Sequence, residues 1–282
     1  MKPLFSRFAL PLTALTLGLA FSCAVSADTL DDIKAKGKMV VAIDPTFAPY
    51  EYTDDKGNIV GYTPEIMKRV ATDLGVTLEY QKMAFSGIIP ALIAGSVDAE
   101  GSSLNVTAER ADKVLFTIPF GKTVNAVLTR ADNAALSSQP ISVEALSGLT
   151  AAVKTTTAPE QLLKQFNTQL KAKNLAPIKL IGVDSIDQTL SALMTRRADF
   201  VFDDITVVGA LLKQHPDKLR QAGELGDSQW ISWATRKGDE RLNKVISDQI
   251  AHLASTGELQ KLQQQYLGVT FELPTRDFIP SK

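Results

Sequence analysis

Apolar positions along this chain follow two periods. Short runs such as Lys38-Met39-Val40-Val41-Ala42-Ile43 read as buried strands, and longer segments with apolar residues three and four apart read as helices. The first run stops at Asp44-Pro45, because proline cannot continue a central ladder. After the turn Asp54-Asp55-Lys56-Gly57-Asn58, Thr63 is placed to cap a helix that has Pro64 first, Ile66, Val70 and Leu74 on one face, and Gly75 as its stop. Thr77 to Gln81 reads as a strand and Ser86 to Ala94 as a helix closed by Gly95. A polar stretch from Gly101 to Asn105 leads to Thr107, which is placed to cap a short helix carrying Glu109 and Arg110.

From Thr123 the alternation begins again, with strands predicted over 123–130, 149–153, 178–182 and 199–203 and helices over 158–171, 185–195 and 205–214. Trp230 to Arg236 is a last strand, and helices over 239–256 and 258–266 close the chain. Alternating strands and helices predict an α/β fold. A second such series with no Pro-, Gly- or Ser-rich linker before it predicts two lobes joined by two crossing strands, lobe 1 over 28–121 plus 236–282 and lobe 2 over 122–235.

Residues 1–27 stand apart: Lys2 and Arg7 start them, no charge follows from Phe8 to Ala27, and Val25-Ser26-Ala27 is a small-residue exit. They are expected to be an export signal cleaved near Ala27, which places the mature chain in a bacterial periplasm. Lipidation at Cys23 is a lesser expectation, because Ala20-Phe21-Ser22 fits the leucine-led lipidation pattern poorly. Beyond the signal the chain has no cysteine, and its core is long enough to need no disulfide. With 30 basic against 31 acidic side chains the net charge is -1, which gives no field to hold nucleic acid or an anionic membrane, and a monomer is expected.

Catalysis and metal binding have little to start from. His215 and His252 have no nucleophile beside them, and there is neither a paired-His spacing nor a Gly-rich phosphate loop, so no catalytic residue, metal or cofactor is predicted. Asp203 and Asp204 are adjacent on a predicted strand, whose successive side chains point to opposite faces, so at most one is expected to face a given ligand. Polar residues do gather where strand signals run out: Asp44, Ser102, Ser103, Asn105, Arg110, Thr156, Thr157 and Asp204. A fixed guanidinium among hydroxyls and carboxylates is suited to a zwitterion.

Several segments in order resemble the periplasmic amino-acid-binding proteins of ABC importers, bacterial extracellular solute-binding protein family 3. They are Asp44-Pro45-Thr46-Phe47-Ala48-Pro49-Tyr50-Glu51-Tyr52, Gly57-Asn58-Ile59-Val60-Gly61-Tyr62, Phe85-Ser86-Gly87-Ile88-Ile89-Pro90-Ala91-Leu92, Val97-Asp98-Ala99 and Ser102-Ser103-Leu104-Asn105-Val106-Thr107-Ala108-Glu109-Arg110. The resemblance implies a two-lobe, type II binding-protein fold that closes on an amino acid and delivers it to an inner-membrane ABC permease. It implies that Arg110 clamps the ligand α-carboxylate with Ser103, Asn105 and Thr157, that Asp204 holds the α-ammonium, and that Phe47 and Phe85 sandwich the side chain. The resemblance matches Asp44 to an acid that, in relatives binding lysine, arginine or histidine, meets the cationic end of the side chain. Lys154, in Lys154-Thr155-Thr156-Thr157, opens an alternative: paired with Asp44 it favours a neutral polar ligand, and turned away it leaves Asp44 and Asp203 to favour a cation. The expectation drawn is a cationic L-amino acid. The same fold also includes a periplasmic cyclohexadienyl dehydratase, for which Glu100 or Asp203 is the candidate acid. A membrane-receptor sensor domain is disfavoured, since no apolar span follows.

Overall fold

The computed structural model describes residues 28–136 and 140–281, so the expected export signal and Cys23 lie outside the described residues. Lobe 1 begins with α1 (Thr29–Lys36), β1 (Lys38–Ile43), and a small antiparallel sheet of β2 (Thr46–Phe47), β3 (Glu51–Thr53) and β4 (Ile59–Val60). It continues with α2 (Tyr62–Leu74), β5 (Thr77–Lys82), α3 (Phe85–Ile93), β6 (Ala99–Asn105), α4 (Ala108–Ala111) and β7 (Val114–Phe116). The first crossing strand is β8 (Gly121–Arg130). Lobe 2 carries β9 (Thr150–Lys154), α5 (Ala158–Ala172), β10 (Lys179–Val183), α6 (Ile186–Met194), β11 (Phe200–Asp204) and α7 (Ile205–Gln214). The long β12 (Leu219–Arg236) crosses back, and α8 (Glu240–Ser255) and α9 (Glu258–Leu267) pack on lobe 1.

One sheet of nine strands runs through both lobes in the order β10-β9-β11-β8-β12-β6-β1-β5, with β7 also on β12. The parallel strands β5, β1 and β6 lie on one side and the parallel strands β10, β9 and β11 on the other; the antiparallel pair β8 and β12 joins them. Strand pleating explains the four buried cores. In β1, Met39 and Val41 enter one core with Ile66, Trp233 and Leu242, while Ala42 enters another with Ile88 and Leu92 on the opposite face. In β11, Phe200 and Phe202 pack with Leu163 and Phe166, while Val201 packs with Leu193 and Val208. In β1, β9 and the start of β11 both faces are buried, which is why these strands read as nearly continuous apolar runs.

Several expectations are corrected. Thr63 does not cap α2; the cap is Gly61 at φ 126, where a Cβ would lie 2.3 Å from the Tyr50 carbonyl oxygen. The Thr63 hydroxyl instead donates to Glu51 Oε2 at 2.9 Å. The polar stretch Gly101 to Asn105 is the inside of β6, whose residues up to Leu104 are buried. Gly101 is required there because a Cβ would meet Val41 Cγ1 at 2.3 Å across the β1–β6 pair. Strand β12 starts at Leu219 rather than Trp230, its first half interrupted by irregularities between Gln221 and Gly223 and between Leu225 and Gln229. No helix among the described residues is long and apolar enough to cross a membrane.

Candidate functional site

The ends of β1, β6, β9 and β11 face one another across the gap between the lobes, and polar side chains bridge it. Lys154 Nζ at the end of β9 lies 2.7 Å from Asp44 Oδ2 just beyond β1, with each side chain only 4% exposed. Lys154 also donates to Thr46 Oγ1 at 3.0 Å. Arg110 Nη2 donates to Thr156 O at 2.9 Å, the Tyr50 hydroxyl to Asp204 Oδ2 at 3.5 Å, and Gln161 Nε2 to Glu109 Oε2 at 3.3 Å. All five join one lobe to the other, so the structure is in a closed form.

These contacts enclose a cavity lined from lobe 1 by Phe47, Glu51, Phe85, Ser103 and Asn105. Lobe 2 contributes Lys154, Thr157, Pro159, Asp203 and Asp204, and Asn125 reaches it from the crossing strand β8. Local chemistry sets these side chains. Thr157 caps α5, its hydroxyl accepting from Glu160 N and donating to Lys154 O at 2.6 Å. Asp204 ends β11 and caps α7, accepting from Thr206 N at 2.7 Å.

Of the residues expected at the site, Phe47, Phe85, Ser103, Asn105, Thr157 and Asp204 line the cavity. The other four do not. Asp44 is engaged behind the wall, where Oδ2 accepts from Phe85 N at 3.0 Å as well as Lys154, and Oδ1 accepts from the Thr46 hydroxyl at 2.8 Å. Ser102 is fully buried and accepts Asp44 N at 2.9 Å. Thr156 has φ 61, a left-handed conformation; its hydroxyl bonds Thr155 O and its carbonyl takes Arg110. Arg110 stands behind Phe85, 5.6 Å from the ring centroid, with Nη1 on Asn105 O at 2.9 Å. Burial pulls the Arg110 guanidinium down to about 10.

The expectation that only one of Asp203 and Asp204 faces the site is overturned, because both line the cavity. Both reach it because the cavity lies at the very end of β11, where Asp204, still paired with Asn125, is also the cap of α7. Three cavity residues were not singled out for binding: Glu51, Asn125 and Pro159. Glu51 lies in the small sheet, where no period points to it, and Asn125 lies mid-strand rather than at a strand end. Of the two candidate acids for dehydration, Asp203 lines the cavity, whereas the fully buried Glu100 does not.

Burial dominates the electrostatics. Glu51 is pushed up to about 7 by desolvation, which outweighs the hydrogen bonds it accepts from Ser103 N, the Ser103 hydroxyl and the Thr63 hydroxyl. Asp203 is likewise raised to about 7 by burial, against the bond it accepts from Asp204 N. Asp204 is raised by burial and lowered in part by the Thr123 and Thr206 hydroxyls. With Lys154 committed to Asp44 and Arg110 engaged on the backbone carbonyls of Asn105 and Thr156, the cavity wall carries three further acids, Glu51, Asp203 and Asp204, and burial keeps Glu51 and Asp203 partly protonated near pH 7.

Comparison with known proteins gives a consistent result. The profile of bacterial extracellular solute-binding proteins, family 3, matches residues 39–269. A probable amino-acid ABC transporter-binding protein of Haemophilus influenzae is 26% identical over 259 residues, covering 91% of this chain and 95% of that protein. The L-cystine-binding protein TcyJ of Escherichia coli is 24% identical, covering 90% of this chain and 92% of its own length. Among solved structures, the amino acid ABC transporter substrate-binding protein AbpA of Streptococcus pneumoniae, bound to L-arginine, has a TM-score of 0.75 and 26% identity, covering 83% of this chain and 96% of that one.

Proposed function

This chain belongs to the bacterial extracellular solute-binding proteins, family 3, and from that premise we propose that it captures a cationic L-amino acid by closing its lobes and delivers it to an inner-membrane ABC permease. On this reading the protein works as a periplasmic monomer, with its signal removed near Ala27 and its lobes divided near 121/122 and 235/236. The ligand α-carboxylate meets Ser103, Asn105 and Thr157 on the cavity wall, and Arg110 once its Nη2 exchanges the Thr156 carbonyl for the ligand, while Asp204 takes the α-ammonium. Phe47 and Phe85 flank the side chain.

The observation that carries the cationic assignment is the carboxylate excess. Lys154 pairs with Asp44 at 2.7 Å, the arrangement expected to favour a neutral polar ligand, so Asp44 is not the reader of the side chain and the cationic reading rests on Glu51 and Asp203 instead. A zwitterion occupies Arg110 and Asp204 and leaves Glu51 and Asp203, two buried acids whose charged forms a cation restores. The arginine bound to the pneumococcal relative points the same way. Titration calorimetry with L-arginine and its neutral isostere L-citrulline tests this. A charge-assisted hydrogen bond of about 1.5–3 kcal/mol gives arginine roughly a 10- to 100-fold advantage. Equal affinity, or preference for citrulline, would replace the cationic reading by a neutral one.

Asp203 favours one second reading, since a cavity acid held to about 7 suits general-acid chemistry. A dehydration assay with prephenate- and arogenate-like substrates decides it: turnover lost in Asp203→Asn makes the protein an enzyme, and no turnover leaves it a binding protein.

A further inference from the structure

Asn125 is 1% exposed on β8 and lines the cavity, yet neither its Oδ1 nor its Nδ2 has a hydrogen-bond partner among the described residues. A buried amide left unpaired at both ends is costly, and such a group in a binding cleft calls for a ligand. Its position shows which part of the ligand. In the antiparallel β8–β11 pair Asn125 stands directly opposite Asp204, so the two side chains leave the same face of the sheet from neighbouring backbones. Both side chains line the cavity, so a donor held there by Asp204 has the Asn125 amide as its neighbour across the strand pair. The remaining amide N–H group needs an acceptor beside that donor. An ammonium or guanidinium chain end only donates and would leave Nδ2 unpaired. An α-amino acid head carries an ammonium and a carboxylate on one carbon, which matches the adjacent acceptor and donor of a primary amide.

We infer that Asn125 is a specificity-determining residue that forks the α-amino-carboxylate head of the ligand, Oδ1 accepting from the ammonium beside Asp204 and Nδ2 donating to the carboxylate. The inference rests on the amino-acid reading above. It makes the hinge strand itself part of the head-group site, so that a free α-amino acid is distinguished from an amine of the same side chain.

Asn125→Ala and the near-isosteric Asn125→Leu test it, with thermal unfolding and circular dichroism confirming that each is folded. Calorimetry is run with L-arginine, L-lysine, L-histidine, L-glutamine and L-cystine, and with agmatine, which is arginine without its carboxylate. Every amino acid that binds wild type is expected to lose roughly the same factor in both variants, about 10- to 100-fold. Agmatine is expected to bind wild type weakly and to lose less than that factor. Affinities within threefold of wild type would overturn the inference, as would a loss confined to particular side chains. If wild type binds none of these amino acids, the amino-acid reading itself fails and the inference falls with it.

Discussion

Replacing Lys154 with methionine keeps the length of the side chain and removes its charge. In the closed form Lys154 reaches Asp44 Oδ2 at 2.7 Å and Thr46 Oγ1 at 3.0 Å, and both members of the pair are 4% exposed, so Asp44 is left buried with the Phe85 amide and the Thr46 hydroxyl as its donors. Deleting one partner of a buried ion pair costs about 3–5 kcal/mol. When the lobes part, both groups meet water and the pair contributes little. The cost therefore falls on closure, and the ligand that drives closure must supply it. At 1.4 kcal/mol per tenfold, Lys154→Met should weaken binding by roughly two to three and a half orders of magnitude. Removing both charges is far milder, because an Asp44→Asn amide oxygen still accepts from Phe85 N; the double variant should recover most of the loss. Calorimetry gives the affinities, and the radius of gyration from X-ray scattering with and without ligand gives the closure. Binding by Lys154→Met within threefold of wild type would refute the clasp. A gain in affinity for cations would refute it equally, by showing Lys154 to be a competitor of the ligand.

Cation binding should be linked to proton release. Glu51 and Asp203 are held up to about 7 by burial in the cleft, and pairing with a cation returns them toward ordinary carboxylate values, so affinity for a cation should climb from about pH 5 and level off above pH 7; calorimetry in buffers of different ionisation enthalpy would show no released protons if this is wrong. Because both acids are raised in the folded chain, their contribution to its stability is fully present below the ordinary carboxylate range and is lost as pH rises through about 7. Asp203→Asn should cost cationic ligands roughly 10- to 100-fold and leave citrulline nearly unchanged; equal losses for both would remove Asp203 from the side-chain site. Gly61→Ala forces a Cβ to 2.3 Å from the Tyr50 carbonyl at φ 126, so it should destabilise by about 2 kcal/mol or more and lower the Tm by roughly 4 °C or more. An unchanged Tm would mean that this turn yields.

Much of the fold could be read from periodicity because most of its strands and helices bury apolar stripes. The run 38–43 is β1, and the apolar spacing of 242–253 is the buried face of α8. Sequence reasoning faltered where the site overrides pattern. Strand β6 reads Ala99-Glu100-Gly101-Ser102-Ser103-Leu104-Asn105, polar in the sequence yet buried, because its hydroxyls and carboxylates serve hydrogen bonds at the cleft rather than a core. The first half of β12 is polar and irregular where it pairs with β8, so it carries no clean alternation. At the site, the rule that ligands gather at strand ends led to Asp44, Asn105 and Asp204. It gave no sign that Asp44 would be taken up by Lys154, a contact between residues 110 positions apart that exists only when the lobes meet. Asn125 escaped the same rule because the hinge strand crosses the cleft at its middle.

The central claim is that an amino acid is held in this cleft through Arg110, and a thermal-shift screen of the chain from Asp28 onward against the twenty amino acids, ornithine, citrulline and cystine tests it most directly, with Arg110→Ala measured alongside. A ligand at 100 times its Kd stabilises by about 2.7 kcal/mol, which for a chain of this size is a Tm rise of roughly 5–10 °C. The account predicts such a rise for arginine, lysine, ornithine or histidine in wild type and its loss in Arg110→Ala. A rise that survives Arg110→Ala would contradict the site, and no rise with any amino acid would contradict the function and bring the dehydratase reading forward.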